Sequence, residues 1–136
     1  MDVRGVVVLV TGASSGIGRA TALAFDREGA RVAIAARRRD RLDELAGKMR
    51  DALVVPTDLA QEGQANAMLE QTLSHFGRLD VLVNNAGAAI PNPSDRLDPA
   101  LTRRLLETNL IGAMIATCRA LQQMRKQGSG HVINVC

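Results

Sequence analysis

The sequence predicts an α/β protein built on a doubly wound parallel sheet, and three observations carry that prediction. An apolar, β-branched run from Val6 to Thr11 is followed by three glycines within seven residues, and then at once by a helical pattern. Short apolar runs alternate with helical patterns along the rest of the chain, which calls for crossover connections and parallel strands covered on both faces. The five strand ends, Thr11-Gly12, Ala36-Arg37, Thr57-Asp58, Asn84-Asn85 and Val135-Cys136, all carry polar or small residues. In such sheets these ends face the ligand.

The elements follow in order. The first strand is expected at Val6–Thr11 and the first helix at Gly16–Glu28, where Ile17, Ala20, Thr21 and Ala24 recur at helical spacing and Gly29 ends the helix. A second strand, Arg31–Ala36, leads to a helix with Leu42, Leu45, Ala46 and Met49 in one stripe. The third strand, Ala52–Pro56, stops at Thr57-Asp58. The next helix places Ala65, Met68, Leu69, Thr72, Leu73 and Phe76 on one side and closes at Gly77. The fourth strand is Asp80–Asn84. Pro91, Pro93 and Pro99 mark a loop, and Asp98 caps a long helix running to Gln127 before a last strand, His131–Val135. Right-handed crossovers then give a Rossmann-type sheet of order 3-2-1-4-5. Residues 1–136 read as one such domain, truncated after the fifth strand and so incomplete on its C-terminal side.

Composition narrows the function. A hydrophobic fraction of 46% excludes a disordered chain. The formal charge of +3 points to an anionic partner. Much of the positive charge, however, sits in Arg37, Arg38, Arg39 and Arg41, and the aromatics are Phe25 and Phe76 alone. A nucleic-acid groove would spread its cations and interleave stacking rings, so a small phosphate ligand is expected and a nucleic acid is not. Cys118 and Cys136 show no metal or disulfide spacing, which suits a reducing cytosol. The N-terminal apolar run is too short for a signal peptide, and the longest apolar stretch, Leu110–Cys118, falls short of the ~20 residues of a membrane helix. A cytoplasmic protein without a membrane segment is expected.

Strand, glycine turn and helix in this order aim backbone N–H groups at a pyrophosphate. Gly12 allows the tight turn, Gly16 the approach of phosphate oxygens, and Gly18 close helix–strand contact. The spacing is G-x-x-x-G-x-G, and no Lys follows the last glycine, so this is not a P-loop. With Thr11 before it, the motif resembles the short-chain dehydrogenase/reductase family. The resemblance extends through Asp58-Leu59, Asn84-Asn85-Ala86-Gly87, Asn109 and Gly130-His131-Val132-Ile133-Asn134-Val135, in family order.

That resemblance implies roles. Ser14, Ser15, Gly16, Ile17 and Gly18 would face the phosphates. Asp58 and Leu59 would hold the adenine, the carboxylate accepting from its amino group. Asn85, Ala86 and Gly87 would lie along the nicotinamide ribose. Simpler structural roles stand beside these: Asp58 as an N-cap for a helix at Glu62, and Asn84-Asn85 as a turn that ties strands. For Asn84 the structural role is expected.

Arg37 points to the cofactor. An NAD site ordinarily ends its second strand with an acid for the ribose hydroxyls. Ala36 stands there instead, with Arg37 next to it. A guanidinium at that point clamps a 2′-phosphate, so NADP rather than NAD is expected, with Arg37 and Arg38 as the contacts. Arg39 and Arg41 are expected to be a solvated helix start.

The resemblance also implies a catalytic Asn, Ser, Tyr and Lys for hydride transfer between the nicotinamide and a carbonyl or alcohol. Asn109 matches the first, although it can equally be a polar side chain bonding backbone. The Ser is expected one residue after Cys136. The chain contains no Tyr, and its lysines, Lys48 and Lys126, fall on helices in another context. His131, at the far end of the last strand, and His75, closing a helix, are expected to be structural. Two readings result: the cofactor-binding half of an NADP-dependent oxidoreductase, inactive alone, or a non-catalytic nucleotide-binding or interaction module. The long helix Asp98–Gln127 carries Leu105, Leu106, Leu110, Ile111, Met114, Ile115, Cys118 and Leu121 around much of its circumference. One face is expected on the sheet and a second against another copy of the chain, as a homo-oligomer.

Overall fold

In the computed structural model, which describes residues 2–136, five strands form one sheet of order β3-β2-β1-β4-β5. They are β1 (Val7–Thr11), β2 (Arg31–Ala36), β3 (Ala52–Pro56), β4 (Val81–Asn84) and β5 (His131–Asn134). Every neighbouring pair is parallel, with Val10 opposite Ile34 and Leu9 opposite Leu82. The helices are α1 (Gly16–Arg27), α2 (Arg39–Ala46), α3 (Gln64–Phe76), α4 (Pro99–Leu106) and α5 (Gly112–Gln127). This is the doubly wound architecture and strand order that the alternation of patterns predicts.

Alternation along the strands divides the core in two. Val7, Leu9, Ala33, Ala35, Val55 and Leu82 pack beneath α3 and α5, against Met68, Leu69, Phe76, Ala116, Ala120 and Met124. Val8, Val10, Val32, Ile34, Val81 and Val83 form the opposite cluster with Ala22 of α1 and Leu42 and Leu45 of α2. Leu9, in the central strand, is fully buried. Truncating such a side chain to Ala costs about 2–5 kcal/mol, because the removed methyls leave a void as well as lost burial.

Two helix faces differ from expectation, for one physical reason. On α1 the buried residues are Gly18, Ala22 and Asp26, whereas Ile17 is 63% exposed. The Ile17, Ala20, Thr21, Ala24 stripe therefore does not face the sheet. On α5 the buried line is Gly112, Ala116, Ala120 and Met124, while Met114, Ile115 and Leu121 are exposed, as are Leu106, Leu110 and Ile111 just before it. Small residues bring a helix axis close to a sheet, and larger apolar ones would hold it off. Buried Asp26 is paired: its carboxylate accepts the Arg50 N–H at 3.2 Å and meets the Arg50 guanidinium at 3.6 Å.

The expected single helix Asp98–Gln127 is instead two helices joined by a π-helical turn at Glu107–Ile111. Asp98 caps α4 as predicted, its Oδ1 accepting from Ala100 N–H at 2.9 Å and Leu101 N–H at 3.2 Å. No residue of α4 is buried, whereas α5 lies on the sheet. Smaller shifts are confined to element ends. The helix α2 stops at Ala46, so Met49 lies beyond it while still packing on the core, and β5 stops at Asn134.

Candidate dinucleotide-binding cleft

A cleft of about 370 Å³ opens over the carboxyl ends of β1 to β4. Thr11 builds its floor. Its hydroxyl donates to the Val83 carbonyl at 3.2 Å and accepts the N–H groups of Asn85 and Ala86 at 3.1 and 3.0 Å, locking β1 to the turn after β4. Gly12 turns the chain with φ +65°, and a Cβ there would stand 2.7 Å from the Ala86 Cα. Any side chain at Gly12 would collide with backbone.

Ser14, Ser15, Gly16 and Ile17 line one wall. Gly16 has φ +55°, and a Cβ on it would meet nothing within 4 Å, so its backbone faces open space. Gly18 does not line the cleft. It is buried against the Gly12 carbonyl and the Asn85 amide, where a side chain has no room. No side chain caps α1, and its first turn holds no acid. Among the described residues the N–H groups of Gly16, Ile17 and Gly18 find no acceptor, the first such bond being Arg19 N–H to the Ser15 carbonyl at 3.3 Å. A helix N-terminus with free donors and no carboxylate favours an anion. The donor set and the open backbone at Gly16 fit a phosphate group.

At the end of β2, Ala35, Ala36, Arg37 and Arg38 line the adjoining wall. Both arginines are exposed, and neither forms an ion pair among the described residues. Their neighbours differ. Arg39 lies 3.6 Å from the Asp43 carboxylate, and Arg41 lies 3.7 Å from that of Glu44. Glu44 also accepts from Lys48 and Arg19, each at 3.1 Å, and these cations hold its carboxyl below the usual range. Two cations of the run are thus committed to their own helix, and two face the cleft uncommitted.

After β3, Thr57, Asp58 and Leu59 form a third wall. Asp58 is not an N-cap, because α3 begins at Gln64 behind Gly63. Its Oδ1 accepts the Ala60 N–H at 3.0 Å, closing a local turn, and its own N–H donates to Gln64 Oε1 at 2.6 Å.

After β4, Asn84 is structural. Its Nδ2 donates to Thr117 Oγ1 at 2.9 Å and Asn134 Oδ1 at 3.0 Å, tying β4 to α5 and β5. Asn85, Ala86 and Gly87 line the cleft, but the Asn85 Nδ2 donates to the carbonyls of Thr11 and Gly12 at 3.1 and 3.2 Å. That side chain braces the glycine turn. Asn109 sits in the π turn outside the lining, with its amide on the backbone of Ala88, while its neighbour Thr108 reaches the cleft.

Sequence reasoning did not single out Ala35, Met68, Ala88 and Thr108 as lining residues. Met68 belongs to the recognised stripe of α3, and only the approach of α3 to the Asp58 turn reveals its second role. Thr108 enters through the π turn, for which the sequence carries no cue. Among the described residues no helix is long and apolar enough to cross a membrane.

Comparison with known proteins agrees with this geometry. An uncharacterized oxidoreductase of Staphylococcus saprophyticus is 36% identical over 136 residues, covering 98% of this chain and 55% of that protein. Cis-4-hydroxycyclohexanecarboxylate dehydrogenase of Sinomonas cyclohexanicum is 42% identical over 134 residues, covering 95% of this chain and 53% of its own length. The crystal structure of a short-chain dehydrogenase from Streptomyces avermitilis superposes with a TM-score of 0.89 at 37% identity, over 96% of this chain and 48% of that one. The chain thus spans about half the length of the curated relatives it matches. The sequence profile of the short chain dehydrogenases matches residues 6–136, and the chain belongs to that family of oxidoreductases.

Proposed function

We propose that the cleft holds NADP for hydride transfer between its nicotinamide and the carbon of a carbonyl or alcohol. The observation that carries the choice of cofactor is the end of β2: Ala36 offers no carboxylate to a ribose, and Arg37 and Arg38 stand beside it with no ion pair among the described residues. In this reading Ser14, Ser15, Gly16 and Ile17 take the pyrophosphate at the start of α1, and Gly18 lets the helix pack close to the glycine turn. Arg37 and Arg38 take the 2′-phosphate, Asp58 and Leu59 the adenine, and Ala86 and Gly87 the nicotinamide ribose, while Asn85 keeps the glycine turn in shape. When bound, NADP supplies or accepts the hydride. The residues of this chain bind and orient it.

Proton transfer at the substrate oxygen needs an acid that these residues do not supply. The sequence contains no Tyr, and Asn109 is engaged with Ala88. We therefore expect the 136-residue chain to bind NADP more tightly than NAD in calorimetric titration, and to turn over no ketone, aldehyde or secondary alcohol. The second reading, a nucleotide-binding module without catalysis, rests on the same cleft residues. Equal affinity for the two nucleotides would overturn the cofactor assignment, and turnover that tracks the pure chain would overturn its inactivity.

A further inference from the structure

The turn that carries Asp58 and Leu59 is fixed from two sides by residues outside it. Gln64, at the start of α3, accepts the Asp58 N–H through Oε1 at 2.6 Å. Because Gly63 occupies the N-cap of α3, with φ 78°, the helix has no side-chain cap, and the Gln64 amide serves the turn. On the other side, a Cβ on Gly112 would stand 2.8 Å from Leu59 Cβ and 2.9 Å from the Leu59 carbonyl oxygen. The first residue of α5 therefore rests directly on Leu59, itself buried, and any side chain there would push the turn away. Within the turn, Oδ1 of Asp58 accepts the Ala60 N–H, and Oδ2 has no protein partner among the described residues.

We propose that Gln64 and Gly112 are positioning residues that hold the Asp58 carboxylate where it distinguishes a 6-amino from a 6-oxo purine. The proposal rests on the reading above, in which Asp58 and Leu59 take the base. A 6-amino group donates to the uncommitted carboxylate oxygen. A 6-oxo group presents a lone pair to it and is repelled. Such discrimination depends on placement within a few tenths of an ångström, because hydrogen bonds weaken steeply with misalignment. The phosphate contacts arise from α1, on the other side of the sheet, and do not share this dependence.

The test is calorimetric titration of the full chain with NADP and with its hypoxanthine analogue. The readout is the ratio of the two dissociation constants, in which general losses of folding or phosphate affinity cancel. The unsubstituted chain is expected to prefer the adenine form by about tenfold, the worth of one charge-assisted hydrogen bond. Gln64→Ala and Gly112→Ala should each bring the ratio close to one. Gln64→Glu, which keeps an acceptor for the Asp58 N–H, should preserve it. In Gln64→Ala the Asp58 amide should also exchange its hydrogen faster in the free chain, a measurement that needs no ligand. Should Gly112→Ala fail to fold, the two Gln64 variants carry the test. A ratio unchanged in Gln64→Ala but abolished by Asp58→Ala overturns this inference and leaves the base assignment standing. A ratio of one in the unsubstituted chain, or one that survives Asp58→Ala, overturns the base assignment and this inference with it.

Discussion

Asn109 grips Ala88 with both ends of its amide. Oδ1 accepts the Ala88 N–H at 2.7 Å, and Nδ2 donates to the Ala88 carbonyl at 2.8 Å. One side chain thus satisfies both backbone polar groups of one residue in the loop after β4, as a neighbouring strand would. It joins the π turn to the rim of the cleft.

Removing that grip should loosen the rim without unfolding the sheet. Asn109→Ala is expected to cost about 1–2 kcal/mol, two hydrogen bonds at a solvent-exposed site. Asn109→Asp keeps the acceptor but sets a carboxylate against the Ala88 carbonyl, and should be no better. Urea unfolding measures the loss, and hydrogen exchange at Ala88 localises it. Unchanged exchange at Ala88 would show that the loop is held by other contacts.

Arg37 is expected to carry the phosphate preference. Arg37→Ala should lower NADP affinity roughly tenfold or more and leave NAD affinity nearly unchanged, because one charge-assisted bond is lost. Ala36→Asp with Arg37→Ala should reverse the preference, since the new carboxylate accepts from free hydroxyls and repels phosphate. Added salt should weaken NADP more than NAD in the unsubstituted chain. A preference that survives Arg37→Ala would move the assignment to Arg38 or away from the cluster.

Asp80 gives the fold an acid limit. Burial alone would push its carboxyl up, but the Arg78 guanidinium at 2.7 Å and the Val7 N–H at 2.8 Å prevail and hold it below the usual carboxylate range. A carboxylate whose pKa is lower in the folded state stabilises the fold above its unfolded pKa. That contribution is lost as pH falls through the folded value. Stability should therefore decline from about pH 4 downward, and Asp80→Asn should flatten that part of the profile. Denaturant midpoints at several acid pH values decide it, and equal slopes for the two chains would exclude Asp80 as the cause.

Exposed Leu110, Ile111, Met114 and Ile115 on the π turn and α5, with Ile133 and Val135 at and beyond β5, leave a broad apolar surface. We expect the chain to self-associate at tens of micromolar, about the range in which such patches find partners. Leu110→Glu with Met114→Glu should shift the light-scattering mass toward the monomer. A monomer before substitution would mean that the patch is too dispersed to drive association.

What the sequence discloses here and what it withholds divide along physical lines. Strand ends are legible because they combine two local signals, a β-branched run and a turn residue, and β3 falls where expected at Ala52–Pro56. The glycine turn is legible for the same reason. Helix faces are not, when the contact is made by small residues. The pattern on α1 draws attention to Ile17, whereas the sheet receives Gly18 and Ala22. The π turn at Glu107–Ile111 is invisible in composition, and the bonds that Asn109 makes from it to Ala88 span 21 residues of sequence. Of the cleft, the walls formed by strand ends can be read from the chain. Met68 and Thr108 arrive from helices, whose rotation only packing decides.

The sheet divides the interior into two compartments that share no side chains, and the cleft straddles the divide. The arginines follow Ala36, whose side chain belongs to the compartment under α1 and α2. The Asp58 turn is anchored through Leu59 in the compartment under α3 and α5. On the proposed reading, substitutions next to the 2′-phosphate contacts therefore disturb one compartment, and those around the base contacts disturb the other.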